Sequence, residues 1–195
     1  MWVRSRYAGE LAVLSAWISV LLPWNITYQG SAPPDGLGAV YFFRFAFFEI
    51  QFRRPWVFEI NGEVTEATEP LELTYAGSQL FGNIFVTSPP SSISFYDDAL
   101  AQASMLWLGA AAMFAAAFVL GLALYFREEA VAERLPVSEV RLMGVLLVVG
   151  AAGTAAASVL FFRTDATSGI PIPVGVLVVG ALGAVLLRTE KIEGE

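Results

Sequence analysis

The stretch MLWLGAAAMFAAAFVLGLALYF, residues Met105–Phe126, runs for twenty-two residues without a charge. Wound as a helix at about 1.5 Å per residue, it matches the roughly 30 Å hydrocarbon core of a bilayer. Three more apolar stretches of similar length follow from the same reading: Tyr7–Trp24, Leu142–Phe162 and Ile170–Leu187. A hydrophobic content of 56% and a mean hydropathy of +0.63 exceed what soluble domains carry. The expected fold is therefore a membrane α+β protein. Its four-helix transmembrane bundle carries a small antiparallel β-sheet domain inserted between helices 1 and 2.

The boundaries read as helix 1 over 7–24, a β-rich segment over 25–103 and helix 2 over 104–126. A loop over 127–141, helix 3 over 142–162, a turn over 163–169, helix 4 over 170–187 and a tail over 188–195 complete the chain. Inside lipid, helices associate through close packing and hydrogen bonds rather than through burial from water. Small residues at four-residue spacing supply such seams: Ala112-Ala116, Ala117-Gly121, Gly150-Thr154-Ser158 and Gly180-Ala184. Ala and Gly that merely dilute an apolar helix would look the same.

Basic residues near the span ends set the orientation. Arg4, Arg6, Arg127, Arg134, Arg141, Arg188 and Lys191 collect on one side; the other holds Arg163 and, in the long segment, Arg44, Arg53 and Arg54. Both termini are expected in the cytoplasm of a multi-pass cell-membrane protein, with residues 25–103 extracellular. A cleavable leader, with Leu11–Trp24 as its apolar core and cleavage near Gly30-Ser31-Ala32, competes with this reading; Glu10 sits unusually deep for one.

The outer segment holds nine acidic and three basic residues, and the whole chain has ten Arg but a single Lys. Such an acidic, lysine-poor surface suits high salt, which screens its self-repulsion. Without a basic stripe, nucleic acid is not an expected partner. With neither Cys nor His, there is no disulfide, thiolate nucleophile or imidazole ligand. No catalytic motif stands out, and no enzyme activity, metal or cofactor is expected. Uncharged span interiors also argue against an ion pump or coupled transporter, and a channel is the least favoured class.

Between the first two spans the period becomes alternating. Tyr41, Phe43, Phe45 and Phe47 share one strand face, and the phase slips at Phe47-Phe48, marking a bulge or a tight break between strands. Beyond the slip Phe48, Ile50 and Phe52 are expected inward, with Glu49, Gln51 and Arg53 pointing away. Trp56–Ile60, Leu71–Ala76 and Asn83–Thr87 are further strand candidates, for three to five strands in one sheet. The aromatic run, with Trp56, is read either as sheet core or as a partner-contact face. Glu63, Glu66, Glu69 and Glu72 could be drawn as Ca²⁺ ligands, but Pro70 and the lack of a calcium-loop pattern favour a solvated surface. Asn25-Ile26-Thr27 is a glycosylation sequon placed close to the bilayer.

The opening Met1-Trp2-Val3-Arg4-Ser5-Arg6-Tyr7-Ala8-Gly9-Glu10-Leu11, with Leu22-Pro23-Trp24-Asn25, the Tyr41–Phe52 strand and Val140-Arg141-Leu142-Met143-Gly144, resembles an uncharacterised haloarchaeal four-span membrane family. That resemblance implies a halophilic origin and no known activity. In architecture the chain also resembles claudin-type tetraspan proteins, whose long first outer loop forms a sheet and whose first span is followed by a Trp, as Trp24 is here. The likeness implies cell–cell contact or paracellular selectivity, although the paired loop cysteines and the Gly-Leu-Trp element of claudins are missing; Gly36-Leu37-Gly38 is a partial echo. The expected role is contact through the outer sheet, with protein partners, itself or a cell surface. Service as an accessory subunit of a larger membrane complex is the alternative.

Overall fold

A computed structural model describes residues 3–5, 7–30, 39–54, 56–60, 63–67, 75–164 and 169–191; for residues 3–5, 56–60, 63–67, 128–129, 131–132, 134 and 190–191 it describes the backbone alone. Among these residues the order is β1 Val3–Ser5, α1 Ala8–Leu21, β2 Asn25–Gly30, β3 Ala39–Arg44, β4 Glu49–Arg54, β5 Trp56–Ile60 and β6 Glu63–Ala67. Then come β7 Ser78–Phe81, β8 Ile84–Thr87, α2 Pro89–Phe95, α3 Asp98–Arg134, α4 Glu139–Arg163, β9 Ile170–Ile172, α5 Val174–Leu187 and β10 Thr189–Lys191. The fold is α+β. Helices α1, α3, α4 and α5 pack side by side, a six-stranded antiparallel sheet sits at one end, and the paired terminal strands lie at the other.

Helix α4 packs against both α3 and α5, and α1 closes onto α3. The buried stripe of α1 is Ala8, Gly9, Ala12, Ser15, Ala16 and Ser19; that of α5 is Gly175, Val179, Gly183 and Leu186. These spacings of three and four keep one face of a 3.6-residue helix inward. At the α4–α5 seam backbone meets backbone: a Cβ on Gly144 would lie 2.9 Å from the Gly183 carbonyl oxygen and from the Leu187 nitrogen. A Cβ on Gly150 would meet the Phe114 ring at 2.5 Å, and one on Gly121 would meet Ala16 at 2.9 Å.

The small residues of the expected seams divide by burial. Ala117, Gly121, Gly150, Thr154 and Ser158 are buried at helix contacts, but Ala112, Ala116 and Ala184 are exposed. Gly180 has only the Ala151 methyl nearby, at 3.7 Å. Four-residue spacing names a face without saying whether that face turns inward; on α5 the inward stripe is Gly175–Val179–Gly183 instead.

Two helices, Asp98–Arg127 of α3 and Glu139–Arg163, are long and apolar enough to cross a membrane; α1 and α5 have 14 residues each. Arg127 leaves the helical region (φ −149°, ψ 49°) and breaks α3 there. The expected helix 4 starts too early: Ile170–Ile172 is a strand, and Pro173 immediately precedes α5. Proline at 171 and 173 denies the helix two N–H groups, while an extended backbone tolerates them at a sheet edge. Helix 1 ends at Leu21, because Pro23 and the pairing of Asn25 turn the chain into β2.

The sheet order is β7-β8-β4-β3-β2-β9. The slip at Phe47-Phe48 is a tight turn joining β3 to β4, closed by the Phe45 N–H donating to the Phe48 carbonyl at 2.8 Å. Trp56–Ile60 forms its expected strand, paired with β6 as a separate hairpin. Of the expected strand Leu71–Ala76, residues 71–74 lie outside the described residues and Tyr75-Ala76 is not a strand; Ser78–Phe81 pairs with β8 instead. Strands β2 and β9 are additions to the expected set: each is short and abuts a long apolar stretch, although Asn25-Ile26-Thr27-Tyr28 alternates polar with apolar. Strand β9 pairs Ile170, Pro171 and Ile172 with Tyr28, Thr27 and Ile26, so the loop before the last helix completes the sheet. At the opposite end β1 and β10 run parallel, Val3 against Thr189 and Ser5 against Lys191.

Because the Gly144 contact is with backbone atoms that cannot swing aside, Gly144→Ala is expected to lower stability by about 1–3 kcal/mol. Gly180→Ala, which would meet only the Ala151 methyl at van der Waals distance, is expected to stay within about 0.5 kcal/mol of the parent. Thermal unfolding of the purified chain, followed by far-UV circular dichroism, separates the two.

Candidate functional site

The two faces of the sheet are inverted relative to the expectation. Arg44, Glu49, Gln51 and Arg53 are buried, whereas Phe47, Phe48 and Phe52 are exposed. Strand alternation is as read from the sequence, but the polar side of β3 and β4 faces the helices. Burying charge is tolerated only where partners satisfy it. Here the partners form one continuous relay.

The relay starts on α4. Asn25 Nδ2 donates to Ser158 Oγ at 3.0 Å, Thr27 Oγ1 donates to Asn25 Oδ1 at 2.7 Å, and Arg44 Nη1 donates to Thr27 Oγ1 at 3.0 Å. Arg44 Nε approaches Glu49 Oε2 at 2.5 Å as an ion contact off the line of a hydrogen bond. Gln51 Nε2 donates to Glu49 Oε1 and to the Ala76 carbonyl, while Arg53 Nε donates to Gln51 Oε1 at 2.8 Å. Arg53 Nη2 then reaches the Tyr75 and Ala76 carbonyls at 2.9 and 3.1 Å. The guanidinium planes are sandwiched by rings: Arg44 lies 4.3 Å from the Phe161 centroid and Arg53 lies 3.9 Å from that of Phe85.

The end of the relay shifts two phenols. Burial pushes Tyr96 well above the ordinary tyrosine range, and the Glu49 carboxylate acts in the same direction; the hydrogen bond from the Ala76 N–H and the two buried arginines oppose it. Burial also raises Tyr75, with Arg53 opposing.

Two indoles hold the β3–β4 turn against the bundle. Trp24 Nε1 donates to the Phe45 carbonyl at 2.9 Å; Trp107 Nε1 donates to the Phe45 and Ala46 carbonyls at 3.0 Å each. Ala46 is fully buried in the helix core cluster beneath them. The sequence could have flagged Trp107, since an indole within an otherwise apolar helix needs an acceptor for its N–H.

The opposite face of the sheet is open and apolar. In register across the strands lie Ile172, Ile26, Phe43, Ile50 and Val86, and beside them Ile170, Tyr28, Tyr41, Phe52 and Ile84. Tyr28 is 49% exposed, Phe52 41%, Ile172 55% and Ile170 75%. Tyr28 packs on Tyr41 at 4.9 Å, and Phe43 meets Phe52 edge-on at 5.6 Å. Of the expected contact face, Tyr41 and Phe43 lie here, half-buried. Phe45 and Phe47 lie at the turn, where Phe45 stacks on Phe48 at 4.8 Å. The Trp56 side chain lies outside what is described, as do those of Glu63 and Glu66; Glu69 and Glu72 fall outside the described residues altogether. Asn25 is fully buried with its amide nitrogen engaged by Ser158, so the sequon offers no room for a glycan in this fold. Among the described residues, no cluster of three or more acidic side chains is placed to hold a metal.

Over residues 1–191 the chain matches a family of unknown function, DUF7549, and it belongs to that family. No curated protein matches it.

Replacing Glu49 with Gln leaves the buried Arg44 guanidinium without its counter-charge, and a loss of about 3–5 kcal/mol is expected. The double substitution R44M/E49M is expected to recover most of it, as read by thermal unfolding. A second outcome concerns pH. Because Tyr75 and Tyr96 have raised folded-state values, their contribution is intact below the unfolded tyrosine pKa of about 10 and is lost as pH climbs above it. Absorbance at 295 nm is expected to show two phenols ionising only together with alkaline unfolding, and one fewer in Tyr96→Phe.

Proposed function

We propose that the protein is a non-enzymatic, multi-pass membrane protein whose sheet faces outward and makes protein or cell-surface contacts. The observation that carries this reading is the open sheet face, where two complete cross-strand rows of apolar side chains meet solvent; large uncovered apolar patches mark interaction sites. The membrane part rests on helices that are apolar without being enclosed: only 33% and 39% of the most apolar windows of α3 and α4 are buried. A soluble protein's core helices bury such surfaces. Helices α1 and α5 complete a four-span bundle in this reading. Each rises about 21 Å, short of the hydrocarbon core, so bilayer thinning and the flanking residues make up the difference.

The orientation we propose draws on where the fold gathers the basic residues. The β1–β10 pair and the α3–α4 link share one end, and with them lie the positions of Arg4, Arg127, Arg134, Arg141, Arg188 and Lys191. That end is cytoplasmic in this reading, and the acid-rich sheet segment is outside, as suits a high-salt habitat. A second reading, an accessory subunit of a membrane complex, draws on Ala112 and Ala116. Both are exposed on α3, where small residues leave room for a foreign helix.

The chain has no Cys, so single introduced cysteines report cleanly. On intact cells an impermeant maleimide is expected to label Gln79→Cys and to spare Val137→Cys. Photo-crosslinkers at Tyr28 or Phe52 are expected to capture a partner through the sheet. Capture only at Ala112 would favour the accessory subunit, and recovery of monomer alone from the sheet positions would overturn the contact reading.

A further inference from the structure

One part of the open face dips into a shallow cleft. A hollow of about 400 Å³ is lined by Tyr41, Phe43, Phe52, Arg53, Arg54 and Asn83. We propose that this cleft binds an acidic saccharide. The inference rests on the surface-contact reading above and names the ligand class of one portion of that surface.

The cleft supplies the three groups such a ligand needs. Phe43 and Phe52 meet edge-to-face at 82°, making a corner in which one ring offers its face as floor and the other stands as wall. The apolar C–H side of a pyranose lies on such a floor. Arg54, exposed at the end of β4, holds its guanidinium 5.9 Å from the Tyr41 ring, at the rim. A planar fork with paired donors suits a carboxylate or two adjacent hydroxyls. Asn83, exposed beside the Gly82 turn, adds an amide that both donates and accepts. The volume falls within the range of small-molecule sites.

Charge narrows the class. Of the three arginines between Asn25 and Ala103, Arg44 and Arg53 are consumed by the inner relay, so Arg54 alone presents its charge on the open face. With the acidic charge of the segment screened at high salt, an exposed cation beside aromatic rings favours a ligand that brings its own negative charge into direct contact with it. A purely apolar protein surface would desolvate that guanidinium without pairing it. The shallow, open form fits a sugar as well, because hydroxyls on its outer side stay in water, whereas protein anchor side chains fill deep, desolvated pockets.

The test is calorimetric titration of the full-length protein in detergent with a galacturonic acid trimer, against its methyl-esterified, uncharged counterpart. Saturable binding of the acid trimer is expected, at least tenfold tighter than the ester. Arg54→Gln and, separately, Phe52→Ala are expected to weaken it at least tenfold without moving the unfolding temperature. Absence of saturable binding, equal binding of the ester, or full affinity in R54Q overturns the proposal. A protein captured through Phe52 while the trimer fails to bind would leave the contact reading standing and remove this one.

Discussion

The arrangement depends on the ion contact between Arg44 and Glu49, buried where the sheet meets α4. A lone charge in that position would be prohibitive; two charges, each hydrogen-bonded further along the same layer, are tolerable. The polar side of β3 and β4 is therefore held inward by Ser158, Thr27, Asn25, Gln51 and the Tyr75-Ala76 carbonyls. With that side committed to the helices, period-two alternation leaves the opposite, aromatic side no choice but to face out. The open face and the buried relay are one fact seen from two sides.

The relay also adds directional anchors to the apolar contacts by which the sheet sits on the helices. Trp24 and Trp107 fasten the β3–β4 turn through its carbonyls, Asn25 fastens β2 to α4, and Arg44 sits against the Phe161 ring of α4. These contacts are directional. They fix the position of the sheet on the bundle more narrowly than nonspecific burial would, and they keep Tyr41, Phe43, Phe52 and Arg54 presented as one surface.

Much of the layout was legible in the residues. The period change after Trp24, the slip at Phe47-Phe48, the Trp56–Ile60 and Asn83–Thr87 strands and the third helix all follow from hydrophobic spacing. The side of the sheet that faces inward did not follow. Alternation separates Arg44, Glu49, Gln51 and Arg53 from their aromatic neighbours but carries no sign, and the usual rule that apolar residues go inward chose wrongly here. The partners that make the inversion tolerable, Ser158 and the Ala76 carbonyl, are 133 and 25 residues away from the groups they satisfy. Small-residue seams failed for the same reason at Ala112, Ala116 and Ala184: a spacing defines a stripe, and only the neighbouring helix decides which stripe it meets. The open rows and the hollow are marked by no motif; they arise from side chains on β2, β3, β4, β8 and β9 that only pairing brings together.

Strand β9 comes from the link before the final helix, and β10 follows that helix to lie against β1. Segments far apart in the sequence thus pair at both ends of the molecule. During synthesis the edge at Ile26, Thr27 and Tyr28 waits for the closing stretch to emerge from the ribosome. Assembly is consequently a whole-chain event rather than a vectorial one, and a product truncated before Ile170 leaves a raw hydrogen-bonding edge beside the aromatic surface, a substrate for quality-control proteases or for mispairing with a neighbouring copy.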